Sequence, residues 1–214
     1  MSRVINAVTL IAVLKETATR WSRFIDELRR LDSITGDGDL GVTVELASKA
    51  MTDYLNNPGE EDIGKLIMKC GVQINKSSPS TFGTLLASAF MDAGKTIVGR
   101  NEIEVKDLAI VGQGAIDGIK KRGKAEVGDK TMLDSLVPAV EAYKQAVANN
   151  IDYKITIKKA SEAAKKGMEA TKNMKAKYSR ASYRPDGGIG IQDAGATATY
   201  YLIESFARSL IARV

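Results

Sequence analysis

The sequence contains no histidine among its 214 residues. Histidine is the side chain that most often acts as a general base near neutral pH, and it is the commonest protein ligand of zinc. Its absence excludes Ser-His and Cys-His nucleophile pairs and any phosphohistidine intermediate on this chain. Any chemistry must therefore use carboxylates, lysines, arginines, hydroxyl groups or main-chain atoms.

Cysteine is almost absent as well. Cys70 is the single cysteine, so no disulfide can form within the chain. It lies in the apolar stretch 67–72, where a buried and unreactive thiol is a better interpretation than a nucleophile.

Long apolar runs are also missing. No stretch of about 18 apolar residues occurs, and the N-terminus lacks the basic, apolar and small-residue order of a signal peptide. We therefore expect a cytoplasmic protein with no membrane partner. The net charge of +5 could suggest nucleic acid, but aromatic residues make up only 6% of the chain and the basic residues occur in short groups such as 120–122. Nucleic-acid binding is therefore disfavoured.

What the sequence does have is apolar residues at helical spacing along most of its length, without sustained alternation of period two. Gly, Pro and Asn cluster only in short breaks, which favour connections between helices over domain linkers. We predict an all-α fold in which residues 1–214 form a single domain of mostly antiparallel helices. After two N-terminal helical segments, further helices are predicted at about 42–54, 61–74, 81–95, 105–122, 131–148, 155–171 and 194–214.

An acidic segment at residues 31–41 carries Asp32, Asp37 and Asp39 among glycines at positions 36, 38 and 41. The glycines make an uninterrupted helix improbable, so we predict a turn between helices in which the three carboxylates converge. Oxygen ligands of this kind suit Mg²⁺ or Ca²⁺. An EF-hand is excluded, because the twelfth loop position would be Thr43 or Ser48 and not a carboxylate.

Three carboxylates would repel the phosphates of a nucleotide unless cations bridge the two. With Mg²⁺ the arrangement becomes attractive, and the next helix, which opens near residues 41–43, would present free N–H groups to phosphate oxygens. The alternative is that Asp37 and Asp39 only cap that helix. Local features alone leave both interpretations open.

Two other glycine-containing segments partly match nucleotide-binding motifs. Gly94-Lys95-Thr96 resembles the end of a P-loop, but Ala89 occupies the position of its first glycine and the preceding residues are helical in pattern. Glycines 112, 114 and 118 approximate a dinucleotide fingerprint without its spacing or its βαβ context. Helix packing explains them better.

Three separated segments, 31–41, 128–134 (Gly-Asp-Lys-Thr-Met-Leu-Asp) and 179–183 followed by 190–196, together resemble the L subunit or L domain of dihydroxyacetone kinases. The resemblance runs through most of the chain in the family's order. It implies an antiparallel α-helical barrel of about eight helices, with the nucleotide and two Mg²⁺ ions at one end.

The resemblance also assigns site residues. The metal-binding aspartates fall on Asp32, Asp37 and Asp39, and Arg180 is implied as the catalytic residue that neutralises phosphate charge, although it could instead pair with a surface carboxylate. Met132 could line the adenine face or fill the core, and Asp193-Ala194-Gly195 could close the nucleotide pocket, start the last helix, or do both. The implied nucleotide contacts are Leu40, Gly41, Val42, Thr43, Ser77, Ser78, Gly123, Met132, Arg180, Asp193, Ala194 and Gly195.

The sequence departs from the family pattern at two places. Leu40 stands where family members often have histidine, so a side-chain contact to nucleotide is lost there while the metal ligands are kept. Lys76 and Pro79 flank Ser77-Ser78 where the family usually has glycines. Of the contacts that the resemblance implies, the phosphate contact at these serines therefore has the least support.

The resemblance implies a division of labour. A separate K-type subunit, with its own histidine, would hold a small ketose such as dihydroxyacetone, and this chain would supply the phosphoryl group with Mg²⁺ and ADP or ATP. The donor is either free ATP or a phosphocarrier subunit of a phosphotransferase system that recharges bound ADP. A fatty-acid-kinase-like domain, a non-catalytic nucleotide-binding regulator and a homodimeric state remain open.

Overall fold

A computed structural model describes residues 3–214. These residues form nine α-helices and one short antiparallel sheet, in which strand β1 (Val4–Asn6) pairs with strand β2 (Glu102–Glu104). The helices α1 to α9 span, in order, Ala7–Trp21, Ile25–Thr35, Leu40–Asn56, Ile63–Ser77, Thr81–Lys95, Leu108–Gly123, Leu133–Ala148, Tyr153–Ala170 and Ala194–Ile211.

Most helix starts follow from side-chain capping. Helices α1, α4, α5, α8 and α9 each begin after a residue whose side chain accepts a hydrogen bond from a main-chain N–H of the first turn. Such caps replace the hydrogen bonds that the first turn of a helix cannot make internally. The capping residues are Asn6, Asp62, Ser80, Asp152 and Asp193.

Eight of the helices form a closed ring. Helix α1 packs against α3, each of α3 to α8 packs against the next helix in the chain, and α9 packs against α1. The indole N–H of Trp21, at the end of α1, donates to the carbonyl of Ala198, near the start of α9, at 2.8 Å, so these two helices run antiparallel. Helix α2 lies against α3 and also contacts α9. The predicted all-α barrel of about eight helices is confirmed, with a small sheet added.

Glycines allow close approach between neighbouring helices. A Cβ atom on Gly118 of α6 would lie 2.5 Å from the carbonyl oxygen of Ser88 on α5, and one on Gly114 would lie 2.7 Å from that of Asp92. The interpretation of the α6 glycines as packing residues is confirmed. Gly94 and Lys95 are the last two residues of α5, so the sequence before them is helical, as predicted, and is not the strand that a P-loop requires.

Cys70 is fully buried in α4, as predicted. Among residues 3–214, no helix is both long enough and apolar enough to cross a bilayer.

Because neighbouring helices of the ring alternate in direction, their connections alternate between its two ends. One end therefore collects the connections 36–39, 78–80, 124–132 and 171–193. We call this the site end, because every site residue predicted from the sequence lies in one of these connections or in the adjoining helical turns.

Candidate functional site

The acidic segment is a shorter turn than the sequence predicted. Asp32 lies in the last turn of α2, only residues 36–39 are non-helical, and α3 already begins at Leu40. The prediction of a turn over the whole of 31–41 is wrong because helical hydrogen bonding persists up to Thr35. Gly36 ends α2, and its N–H donates to the carbonyl of Asp32 at 2.6 Å.

Two glycines of this turn are required by its geometry. A Cβ atom on Gly36 would lie 2.2 Å from Oδ1 of Asp32, so any other residue would displace that carboxylate. Gly38 has a φ of +77°, in the left-handed region that glycine adopts without strain. Gly41 has a different role, because it lies inside α3 and packs against the backbone of α2.

The three aspartates converge as predicted. One carboxylate oxygen from each of Asp32, Asp37 and Asp39 lies within 4.8 Å of the others. Asp32 also accepts a hydrogen bond from the N–H of Leu40 at 3.3 Å, which joins the end of α2 to the start of α3. Asp39 is the N-cap residue of α3, yet its side chain makes no capping hydrogen bond. The capping alternative is therefore wrong for Asp39.

The carboxylates repel one another electrostatically. Burial and the negative charge of Asp37 raise the pKa of Asp32, and burial with the charges of Asp37 and Asp32 raises that of Asp39. Burial would also raise the pKa of Asp37, but the hydrogen bond and positive charge of Arg180 lower it below its usual value. Mg²⁺ prefers hard oxygen ligands, and its positive charge would relieve the repulsion among the three carboxylates. The cluster therefore fits Mg²⁺ in ligand type and in charge.

Arg180 reaches this cluster from the long connection between α8 and α9. Its guanidinium donates a hydrogen bond to the carboxylate of Asp37. A second arginine of the same connection, Arg184, donates to the carbonyl of Ile34 near the end of α2 at 3.3 Å. The structure thus joins the first and third sequence segments at the site end, and the carboxylate that Arg180 pairs with is one of the candidate metal ligands.

A hydroxyl cluster lies between the starts of α3 and α5. Thr43 donates from its hydroxyl to the hydroxyl of Ser80 at 3.0 Å. Ser78 is buried, and its hydroxyl donates to the carbonyl of Thr43 at 3.4 Å, whereas Ser77 donates to the carbonyl of Ile74 at 3.2 Å. Ser80 was not predicted as a member of this cluster, although it lies only two positions after Ser78.

The remaining predicted nucleotide contacts surround the start of α5. Met132 is 4% exposed and packs in an apolar cluster with Phe82 and Leu85. A Cβ atom on Gly195 would lie 3.7 Å from the ring of Phe82, and one on Gly123 would lie 2.9 Å from Leu85. Met132 is therefore a core residue, and its contact with adenine stays a prediction.

Asp193 starts α9, as predicted, and its carboxylate accepts from the N–H of Ala196 at 2.7 Å. Burial raises its pKa to about 6, against the lowering effects of that hydrogen bond and of the charge of Lys130. Ala194 and Gly195 form the first turn of the same helix. The segment therefore starts the last helix, and its role in closing a nucleotide pocket stays a prediction.

Asp134 and Lys130, from the second segment, were not predicted as site residues. Asp134 is buried and accepts hydrogen bonds from the N–H groups of Gly128 at 2.5 Å and Thr131 at 2.6 Å, so it shapes the turn before α7. Lys130, within that turn, is also buried. One indication of their role was present in the sequence, because both residues lie in the 128–134 segment that carries the family resemblance.

Comparisons with known proteins agree with the helical ring. A family model described as the DAK2 domain matches residues 34–208, and the chain belongs to that family. It is 31% identical over 180 residues to the PEP-dependent dihydroxyacetone kinase, ADP-binding subunit DhaL, of Escherichia coli, covering 84% of this chain and 86% of that one. It is 28% identical to a Listeria innocua protein named PEP-dependent dihydroxyacetone kinase 2, ADP-binding subunit DhaL, covering 92% of both chains.

Longer proteins match over a part of their length. The chain is 32% identical to a probable dihydroxyacetone kinase of Dictyostelium discoideum, of which it spans 30%. The crystal structure of the dihydroxyacetone kinase of C. freundii superposes with a TM-score of 0.74 at 22% identity, covering 96% of this chain and 35% of that one. The same kinase in complex with AMP-PNP and Mg²⁺ superposes with a TM-score of 0.73. These likenesses establish the fold.

Proposed function

We propose that this chain is the nucleotide-binding subunit of a dihydroxyacetone-type kinase, and that it binds ADP or ATP with Mg²⁺ at the site end of the ring. The observation that carries the proposal is the convergence of Asp32, Asp37 and Asp39, with Arg180 donating a hydrogen bond into the cluster. Membership of the DAK2 domain family supports the same assignment. A regulator that only presented a surface would not need three carboxylates gathered against their mutual repulsion.

Each group at the site end has a role in the proposed reaction. Bound Mg²⁺ would offset the charge of the carboxylates and of the nucleotide phosphates. Asp32, Asp37 and Asp39 would hold the metal. The N–H groups of Gly41 and Val42, in the first turn of α3, would bind phosphate oxygens, because those of Leu40 and Thr43 already donate to Asp32 and Asp39. Arg180, whose side chain is 65% exposed, can leave Asp37 to neutralise a phosphoryl group. Catalysis would rest on positioning and charge stabilisation.

We propose ADP as a retained coenzyme and a phosphocarrier subunit as the phosphoryl donor. The support is that the two relatives named as ADP-binding subunits of PEP-dependent kinases align with this chain over 86% and 92% of their own length. Purified protein should then carry ADP, and phosphorylated carrier should sustain turnover without added ATP. Turnover with ATP alone would instead assign the donor as free nucleotide.

The acceptor would be held by a separate K-type subunit. A chain without histidine cannot form a covalent histidine adduct with a ketose, so that step needs another polypeptide. The proposed acceptor is dihydroxyacetone or a related small ketose, and a cytoplasmic location forms part of this proposal. A fatty-acid-kinase-like role would require a lipid-binding partner in place of the K-type subunit.

The experiment is reconstitution of this chain with a K-type subunit, followed by a phosphorylation screen over dihydroxyacetone, glyceraldehyde and erythrulose with Mg²⁺. Activity is expected only with both subunits, and Asp37→Ala should abolish it. Asp53→Ala is the matched control, because Asp53 is an exposed aspartate of α3 that pairs with Lys49 away from the acidic turn. Activity of this chain alone, or full activity of the Asp37→Ala variant, would contradict the proposal.

A further inference from the structure

Lys130 is a lysine with its whole side chain inside the protein. Its side chain is 2% exposed, and its backbone has a φ of +60°. The three N–H groups of its ammonium are shared among four main-chain carbonyl oxygens, those of Thr171 at 2.8 Å, Met174 at 3.2 Å, Gly188 at 2.6 Å and Ile191 at 2.7 Å.

A buried ammonium is costly unless its protons are satisfied. Moving a charged group from water into a protein costs several kcal/mol of free energy. A few charge-assisted hydrogen bonds stabilise the buried group by a similar amount. Burial lowers the pKa of Lys130, while the charges of Asp193 and Asp186 raise it. The four carbonyls give every ammonium proton an acceptor, so the charge is accommodated without a salt bridge.

The four carbonyls belong to the two ends of one connection. Residues 171 and 174 lie where the chain leaves α8, and residues 188 and 191 lie where it returns to α9. The two legs are also joined directly, since the N–H of Ala176 donates to the carbonyl of Gly187 at 2.9 Å and that of Gly190 donates to Lys172 at 2.7 Å. We call residues 171–191 the arginine loop, because Arg180 lies between the two legs.

The position of Lys130 is itself fixed. Both oxygens of the Asp134 carboxylate accept main-chain N–H groups of the turn, from Gly128 and Thr131, on either side of the lysine. Lys177 of the arginine loop donates its N–H to the carbonyl of Asp129 at 3.2 Å. These hydrogen bonds fix the turn at 128–131 and the position of Lys130 within it. The base of the arginine loop is hydrogen-bonded to this turn.

We propose that Lys130 is a positioning residue for phosphoryl transfer, acting through Arg180. Its ammonium closes the base of the arginine loop, so that the guanidinium at the far side of the loop lies against the acidic turn. The catalytic part of this inference rests on the proposed function, whereas the effect on the loop does not.

The rival explanation is that Lys130 only stabilises the fold. The two explanations differ in how Lys130→Met combines with Arg180→Ala. If Lys130 acts through Arg180, its replacement costs kcat only while the arginine is present. A general loss of stability would lower activity by the same factor in either background.

The first measurement is hydrogen exchange of the main chain in residues 174–188, which needs no activity. Lys130→Met should speed exchange there by about tenfold or more, because the loop opens more often. Lys172→Met is the matched control, since Lys172 is an exposed lysine of the same loop. Unchanged exchange in the Lys130→Met protein would overturn the proposal. If that variant does not fold, Lys130→Gln, which keeps a donor, replaces it.

The second measurement is a kinetic cycle of wild type, Lys130→Met, Arg180→Ala and the double variant, each reconstituted with a K-type subunit. We expect kcat to fall about tenfold or more in Lys130→Met and not to fall further when that change is added to Arg180→Ala. Equal factors in both backgrounds would overturn the positioning role. An inactive wild type would instead count against the proposed function, and the exchange measurement would still decide the role of Lys130 in the loop.

Discussion

The guanidinium of Arg180 donates a hydrogen bond to the carboxylate of Asp37, which lies 143 positions earlier in the chain. The contact links the α8–α9 connection to the turn between α2 and α3. The positive charge of Arg180 lowers the pKa of Asp37 and opposes the rise in the pKa of Asp39. Both side chains are accessible, at 65% and 41% exposure, so the pair can open when a ligand competes for either partner.

Replacing Arg180 with alanine should slow phosphoryl transfer more than it weakens binding. Loss of one charge-stabilising donor typically lowers kcat by about 10²–10³-fold, because the donor acts mainly where charge develops. Steady-state kinetics of the reconstituted kinase would measure this. Arg208→Ala is the control, since Arg208 is an exposed arginine of α9 paired with Glu204. Equal kcat in the wild type and the Arg180→Ala variant would exclude a catalytic role.

The sequence predicted the helices well, because apolar residues recur at helical spacing along most of the chain. Helix α5 was predicted over residues 81–95, the limits observed. The three-residue strands were missed because they are too short to show alternation. The burial of Lys130 was missed for a different reason. Its four hydrogen-bond acceptors lie 41 to 61 positions away in the chain, so no local sequence pattern indicates them.

Gly41 should be needed to keep the three aspartates of the acidic turn in position. A Cβ atom there would lie 2.6 Å from the carbonyl oxygen of Ile25, so Gly41→Ala must push α2, which carries Asp32, away from α3. We expect a loss of about 1–3 kcal/mol in the free energy of unfolding and weaker metal binding. Urea unfolding and Mn²⁺ titration would measure these two effects.

Gly64→Ala is the matched control for that prediction. A Cβ atom on Gly64 would lie 2.5 Å from the main-chain nitrogen of Val98, but at the opposite end of the ring. This variant should lose comparable stability and keep wild-type metal affinity. Equal metal affinities in both variants would show that the α2–α3 contact does not set the site.

Cys70 should be inert in the folded protein. The thiol is fully buried, and burial raises its pKa to about 12, so neither access nor thiolate is available. A thiol reagent such as DTNB should label no cysteine in native protein and one per chain in denaturant. Rapid labelling of native protein would contradict the buried position.

Asp193 should make stability fall as the pH rises. Burial raises its pKa in the folded protein from 3.8 to about 6, and Asp134 and Asp32 add to the rise while Lys130 opposes it. Between these two values the unfolded chain releases the proton first, so the folded state loses stability, by on the order of 1–3 kcal/mol at neutral pH.

The free energy of unfolding of the wild type and of Asp193→Asn, measured in urea at pH 4 and pH 7, tests this directly. The asparagine keeps a capping oxygen but does not ionise. Relative to that variant, the wild type should be less stable at pH 7 than at pH 4. Parallel behaviour of the two proteins would mean that Asp193 is not destabilised by ionisation.

The most direct test of the metal and nucleotide site is calorimetric titration of ADP into nucleotide-free wild type, Asp37→Asn and Asp53→Asn, each with Mg²⁺ and with EDTA. We expect tight, Mg²⁺-dependent binding in the wild type and in Asp53→Asn. We expect Asp37→Asn to lose about tenfold or more in affinity, because one of three oxygen ligands loses its charge. Nucleotide affinity that is the same in all three proteins, or indifferent to Mg²⁺, would contradict a metal and nucleotide site at the acidic turn.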